Sequence, residues 1–525
     1  FEAQALYHAA RAHRESGKLA EARAEVEESI RLAETLRAQV ASHGLRTSFF
    51  HSIHERYSFY VDLLLRLHRE APLEGLDALA FQAAERGRAR TLQESLQEAA
   101  AGIREGIDPA LLERERTLRA KLNELAVERR LLGPKEGPRL QRAIDALAAD
   151  YDRLQSTIRS RSPRYAALTE PRAASLAEVQ AFLDGETRLL AYHLGVERSF
   201  LWSVGRDLYS VHELPRGEEI EALARDAQLL LKSPAASGRA FESDSPVVRL
   251  SQILLAPAGS LTEKRLVVIA DGALSYVPFA ALIDPAAEPA PLVASRVIVR
   301  LPSASIVPAL RAQKSGRSFE KWLALAADPL YGDEYPRLAA SLREAREIAS
   351  LAPAGKVEVV TGSDASREWV ERTDFGAFRA IHLAAHGIVD NVRPELSGIV
   401  LSLEGENGET VDGFLRLHDV YNLKLPVDLV VLSACETGLG KEVRGEGLIG
   451  LVRGFMYAGA TAVIASSWKV DDRATAELMT ELYRRLFAGE PAAAALREAQ
   501  VALWKSSRFH DPYYWAAFEL QGDWL

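Results

Sequence analysis

The chain has 525 residues and a formal net charge of −9, with acidic and basic residues interspersed. That distribution argues against the basic stripe of a nucleic-acid binder, so no direct nucleic-acid contact is expected. One cysteine excludes an internal disulfide framework and a cysteine-rich metal site, and it fits a reducing, cytoplasmic setting. The remaining histidines show no metal-ligand spacing, so neither metal nor cofactor is expected.

No apolar run reaches the length of about 18 residues that a membrane span needs. A chain this long should hold two or more domains, because single cores stop growing beyond roughly 250–300 residues. It begins at Phe1 without Met, which reads as a piece of a longer protein.

Residues 1–100 carry only helical patterns. Leu6, Ala9, Ala10 and His13 precede Gly17, and Ala22, Val26 and Ser29 follow it. The phrase AARAHRESGKLAEARAEVEESIRLAE resembles a tetratricopeptide repeat, with small residues where helices cross and Gly at the turn. Residues 47–68 and 74–98 resemble a second, degenerate repeat.

Residues 101–174 read as a helical hairpin and linker. Asp108-Pro109 is a helix start. Leu111, Leu118, Leu122, Leu125 and Leu132 form one apolar seam, and Leu140, Ile144, Leu147, Tyr151, Leu154 and Ile158 form another. Gly133-Pro134 and Gly137-Pro138 interrupt the seam, so two long antiparallel helices are expected.

From about 175 the pattern changes to α/β. Strands are expected at 189–194, 199–204, 208–214 and 265–270, with helices at 218–232 and 246–255. The strand at 265–270 runs into DGALSYVPFAALI, a loop with the look of a functional site but without His-Gly or Cys. Residues 175–320 therefore read as a non-catalytic front half.

A second half is expected over 321–525. Strands fall at 321–328, 357–360, 398–403, 429–432 and 462–465. Helices fall at 337–351, 365–371, 447–457, 472–488 and 491–506. Strands alternating with helices at these spacings imply a mostly parallel sheet with helices on both faces.

Two strand exits in this half stand out. Residues 378–390 read FRAIHLAAHGIVD and end at His386-Gly387; residues 428–438 read DLVVLSACETG and end at Cys435. Open α/β sheets place ligands just past the carboxyl ends of strands. The two residues are 49 apart in sequence, the caspase arrangement of a His about 50 residues before a nucleophilic Cys.

A thiolate attacks a carbonyl carbon; a neighbouring imidazole takes the thiol proton and later returns it to the leaving amine. The backbone amides of Gly387 and Cys435 are the natural donors to the resulting oxyanion. His382, inside the strand, reads as a packed histidine. No third catalytic member is evident. Trp468, Asp471 and Asp472 lie after the next strand and could line a substrate pocket; the two carboxylates equally suit a helix N-cap. Arg444-Gly445-Glu446-Gly447 is a glycine-flanked loop that could face substrate and lacks phosphate-loop spacing.

HLAAHG, LVVLSACETG, GEGLIGLVRGFMYAGATAVIASSWKVDD and HDPYYWAAFEL together resemble the CHAT proteases, a caspase- and separase-like group of cysteine peptidases found with tetratricopeptide repeats. The resemblance covers roughly 175–525. It implies a caspase-like domain with an inactive front half and an active back half, preceded by an all-α region. It maps the nucleophile to Cys435 and the catalytic His to His386. Through separase it suggests Asp471 or Asp472 as the carboxylate receiving a basic residue of the substrate. It implies a regulated bacterial effector, often in defence, that cuts a dedicated protein such as a gasdermin or a CRISPR-associated protein. The repeats would sense a regulatory protein. The competing expectation is a catalytically silent scaffold.

Overall fold

The computed structural model describes residues 1–38, 43–88, 92–94, 96–97, 107–132, 137–161, 172–286, 290–390, 396–433, 440–443, 447–469 and 471–525. The chain divides into two compact units. Phe1–Ala173 makes up most of one; Ala174–Glu442 with Gly447–Leu525 makes up the other.

The first unit is helical. Glu2–Glu15 and Leu19–Ala38 are joined at Gly17, whose φ of 76° suits a residue without Cβ. Ala10, Ala22 and Val26 are fully buried, the small side chains letting the helices approach. His43–Glu70 and Leu76–Arg86 follow.

Pro109–Leu132 and Gly137–Arg161 are the two long helices. Asp108 Oδ1 accepts the Ala110 N–H at 2.9 Å and starts the first of them. They run antiparallel: Arg129 donates to Gln141 at 2.6 Å near the turn, and Tyr151 donates to Glu115 at 3.3 Å far from it. Leu122, Leu140, Ile144, Leu154 and Ile158 are buried along the seam. Gly137-Pro138 opens the second helix instead of interrupting it, because a proline in the first turn costs no hydrogen bond.

The second unit is built on one sheet of 11 strands. Its strands in chain order are β1 (Thr187–His193), β2 (Ser199–Val204), β3 (Tyr209–Leu214), β4 (Arg265–Ile269), β5 (Val297–Arg300), β6 (Lys321–Pro329), β7 (Val357–Gly362) and β8 (Phe378–Ala384). Two short sheets interrupt the series. One holds β9 (His386–Ile388), β10 (Gly398–Val400) and β11 (Phe414–Arg416); the other holds β13 (Gly440–Val443) and β14 (Gly447–Gly450). The main sheet is completed by β12 (Leu429–Leu432), β15 (Ala462–Ser466) and β16 (Phe518–Gly522).

The order across the main sheet is β3-β2-β1-β4-β5-β16-β15-β12-β8-β6-β7. Seven of the ten neighbouring pairs are parallel, so the sheet is mostly parallel as expected. The central strands β4, β12 and β15 are almost wholly buried, which their unbroken apolar runs require. Their flanking helices include Pro246–Leu255, Ala339–Leu351, Asp472–Phe487 and Ala492–Trp504.

Three differences from the sequence expectations matter. The strand ending at His386 stops at Ala384, and His386 opens β9 in the three-stranded sheet. The helix expected from Gly447 starts at Leu451, after β14. The C-terminal strand β16 lies mid-sheet, antiparallel to β15 and beside β5. There Arg300 and Glu519, both nearly buried, pair at 3.3 Å. Among the described residues no helix is long and apolar enough to cross a membrane, and no cluster of His, Cys, Asp and Glu could hold a metal.

Candidate active site

β8 and β12 are direct parallel neighbours, in a register that sets Leu383 opposite Leu432. Ser433 extends the pairing by one step, its N–H donating to the Leu383 carbonyl at 3.2 Å. His386 follows Leu383 by three residues, and Cys435 follows Leu432 by three. Cys435 and Glu446 lie outside the described residues.

His386 is held from three sides. Its backbone N–H donates to the Tyr331 hydroxyl at 3.1 Å, and that hydroxyl donates to the Val400 carbonyl at 3.1 Å. The rings of Tyr331 and Tyr335 lie 4.9 Å and 5.4 Å from the imidazole centroid. Imidazole Nε2 sits 2.7 Å from the Pro336 carbonyl oxygen. A carbonyl only accepts, so the neutral ring carries its proton on Nε2 and its lone pair on Nδ1. Sequence reasoning found no third member here, because the partner is a backbone carbonyl and any residue type carries one.

The His386–Val400 bridge through Tyr331 marks a hydrogen-bonding position of the β9–β10 pair. Antiparallel alternation then makes Gly387–Ile399 a position whose N–H points away from the partner strand.

His382 is fully buried in β8, as a packed histidine should be. Its Nδ1 lies 3.1 Å from the Tyr483 hydroxyl; its Nε2 lies 2.9 Å from Ser433 Oγ and 3.1 Å from Glu344 Oε1. Burial pushes the Glu344 carboxyl above the usual range, and the adjacent His382 imidazole opposes that rise. The cluster lies under the residue from which the chain leaves β12.

The remaining candidates divide. Trp468 is 3% exposed and its Nε1 donates to the Tyr513 carbonyl at 3.0 Å, so the ring is packed and not displayed as a wall. Asp471 caps the helix Asp472–Phe487, accepting the Arg473 and Ala474 N–H groups at 3.0 Å each. Asp472 Oδ2 accepts the Ala340 N–H at 3.3 Å. Partial enclosure pushes the Asp472 carboxyl up; the Ala340 N–H and the His386 imidazole pull it back, and Asp471 adds to the rise.

The family model described as "CHAT domain" matches residues 245–523, more than half of the chain. The chain belongs to the CHAT domain family. Tetratricopeptide repeat protein 28 of Homo sapiens is 40% identical over 108 residues, and its Mus musculus counterpart 37%. Those residues are 21% of this chain and 4% of either relative, so the chain matches only a small part of their length. Among solved structures, the Saccharomyces cerevisiae separase–securin complex aligns at a TM-score of 0.48 and 10% identity, over 96% of this chain and 37% of that one. The pro- and mature-domain complex of Porphyromonas gingivalis RgpB aligns at 0.36 and 12%, over 58% and 76%. The CHAT match covers β4 to β16, including both strand exits; β1 to β3 precede it.

Proposed function

We propose that this CHAT domain is a cysteine endopeptidase in which Cys435 is the nucleophile and His386 its general base. The observation that carries the reading is the register. β8 and β12 are adjacent and parallel, and His386 and Cys435 each follow the same rung by three residues. The tautomer supports it, because the Pro336 carbonyl leaves Nδ1 as the nitrogen that can take a thiol proton. The thiolate would attack a peptide carbonyl to form a thioester, and the imidazolium would protonate the departing amine. The Gly387 N–H, turned away from β10, is available to the oxyanion, with the Cys435 N–H as its expected partner. Asp472 is the better placed of the two carboxylates to meet a basic substrate residue, since Asp471 is occupied as a cap.

The substrate would be a specific protein, with the helical N-terminal unit binding a regulatory partner. A bacterial effector cutting a gasdermin or a CRISPR-associated protein is the form the family resemblance favours.

The lone cysteine makes the test clean, since every thiol label reports Cys435. The chain is co-expressed with candidate partners and fragment N-termini are identified by mass spectrometry. Cleavage should vanish in Cys435→Ala. Labelling of the native chain by a thiol probe at neutral pH should exceed that of His386→Gln by about tenfold, as expected when a thiol of pKa about 8.5 loses its base. Cleavage that persists in Cys435→Ala overturns the assignment. A thiol that labels like a free one with every partner, and no fragments, favours the silent scaffold.

A further inference from the structure

The Pro336 carbonyl fixes the His386 tautomer, so whatever fixes Pro336 acts on the imidazole. The next residue, Arg337, lies outside any helix or strand. Its Nε and Nη2 donate to Asp328 Oδ1 at 2.9 Å and Oδ2 at 2.6 Å, a two-pronged pair that fixes direction as well as distance. Asp328 is buried at the end of β6, where the register with β7 shifts between Ala327 and Pro329. It is the only non-glycine residue with positive φ among the described residues, at 51°. Side-chain-bearing residues rarely hold that conformation, and where it persists the surroundings over-determine it. Here the Asp328 N–H also donates to Ser341 Oγ at 2.9 Å, and Ser341 Oγ donates to the Leu338 carbonyl at 2.8 Å. Side chain and backbone of one strained residue therefore both hold the stretch that directly follows Pro336.

We propose that the Asp328–Arg337 pair is a positioning clamp: it holds the Pro336 carbonyl against His386 Nε2 and thereby sets Nδ1 as the basic nitrogen at the strand exit. This deepens the peptidase reading and rests on it for its consequence. Asp328 and Arg337 are positioning residues that touch neither substrate nor the reacting thiol. The bulge at Asp328 fits a device that aims a neighbouring group.

The test reads the imidazole directly. The chain is labelled with ¹⁵N in its histidine rings, and His386 is identified by the signal missing from His386→Gln. The tautomer ratio is measured above neutral pH, where the ring is uncharged. Arg337 is 63% exposed, but Arg337→Ala leaves the buried Asp328 carboxylate without its partner, so thermal melting confirms that the variant is folded and the double variant Asp328→Asn/Arg337→Ala, which also removes the buried charge, is measured beside it. In Arg337→Ala the ratio of Nδ1–H to Nε2–H should rise by about tenfold, the change expected when one hydrogen bond to a single nitrogen is lost. Arg337→Lys keeps the charge without the fork and should fall between. Arg343→Ala, which removes another exposed arginine of the next helix, should match the native ratio. An unchanged ratio in Arg337→Ala overturns the clamp. The measurement does not involve the thiol. If the ratio shifts while Cys435 labels like a free thiol, the clamp stands and the Cys–His pairing falls.

Discussion

The two halves of the large sheet treat the same position in opposite ways. At the carboxyl end of β4, Asp271 turns its carboxylate inward. Oδ2 accepts the Leu194 N–H at 2.8 Å, Oδ1 accepts the Gly272 N–H at 3.0 Å, and His193 lies 3.8 Å away. One oxygen ties the loop to the end of β1, and the other closes the turn at Gly272. At the carboxyl end of β8, His386 is fixed by its backbone N–H and one ring nitrogen, and the other nitrogen keeps its lone pair. A strand exit becomes a candidate for chemistry when its scaffold holds a side chain without consuming its reactive atom.

The sharpest way to break this contrast is to remove one side chain from each exit. His386→Gln should lower cleavage of the physiological substrate by about 10²–10⁴, the usual contribution of a general base. Its stability should barely change, since the ring is only partly buried. Asp271→Ala should do the reverse, leaving kcat intact and lowering the melting temperature through two orphaned backbone donors. Equal losses of cleavage in both variants would mean that the front half is part of the machinery.

The next effect lies beneath the active exit. His382→Ala removes a fully buried ring in contact with Tyr483, Ser433 and Glu344 and should destabilise the fold by about 1–3 kcal/mol through the polar groups left unpaired, read from denaturant unfolding. The pH dependence has a definite sign. Burial raises the folded-state pKa of Glu344, so the folded chain holds this proton where the unfolded chain has released it. Its contribution to stability is present at acid pH and is lost as pH rises from about 4.3, the ordinary Glu value, through the raised folded value. Glu344→Gln should therefore gain on the native chain as pH rises across that window. A gap between the two that is constant with pH would show that Glu344 ionises normally in the fold.

Much of this was legible before any coordinates, for a physical reason. Buried parallel strands announce themselves as short apolar runs, and the polar residues that end them mark the exits, so β8 and β12 could be read from the chain; His386 was legible as the residue just past β8, and Cys435 lies outside the described residues. The sorting of His382 from His386 followed from their places in that run. What holds His386 could not be read. Pro336 contributes a carbonyl that every residue has, and Asp328 is distinguished only by a backbone angle. Glu344 meets His382 from a helix on another part of the chain, and the spacing of neither hints at it. Strands of three residues, such as β9 to β11, are too short to show a period, and β16 reaches the middle of the sheet by a long-range pairing with β15.

The small sheet behind His386 offers a third, lesser break. A Cβ added at Gly398 would lie 2.5 Å from the Leu415 carbonyl oxygen and 2.9 Å from Arg416 Cα, both backbone atoms that cannot rotate aside. Gly398→Ala should push β10 from β11 and cost about 1–3 kcal/mol, as overpacking does. Because β10 also pairs with β9, activity should fall more than the stability loss explains. Activity that is restored in full wherever the variant is folded would show that β9 does not depend on its neighbours.

The smallest expected effect decides between two uses of one carboxylate. Asp471 accepts two N–H groups of the helix Asp472–Phe487, so removing it should cost about 1 kcal/mol, the usual value of an N-cap. Asp471→Asn retains an oxygen for the cap and loses the charge, whereas Asp471→Ala loses both. If Asp471 is only a cap, Asn should be near-neutral, Ala should lower stability, and KM for the substrate should stay put in both. If it meets a basic substrate residue, both variants should raise KM alike, whatever their stability. Applied to Asp472, the same pair of changes should raise KM, because Asp472 is exposed and does not cap the helix; its carboxylate accepts a hydrogen bond from Ala340. A KM shift at Asp471 with none at Asp472 would reverse that assignment while leaving the cap geometry intact.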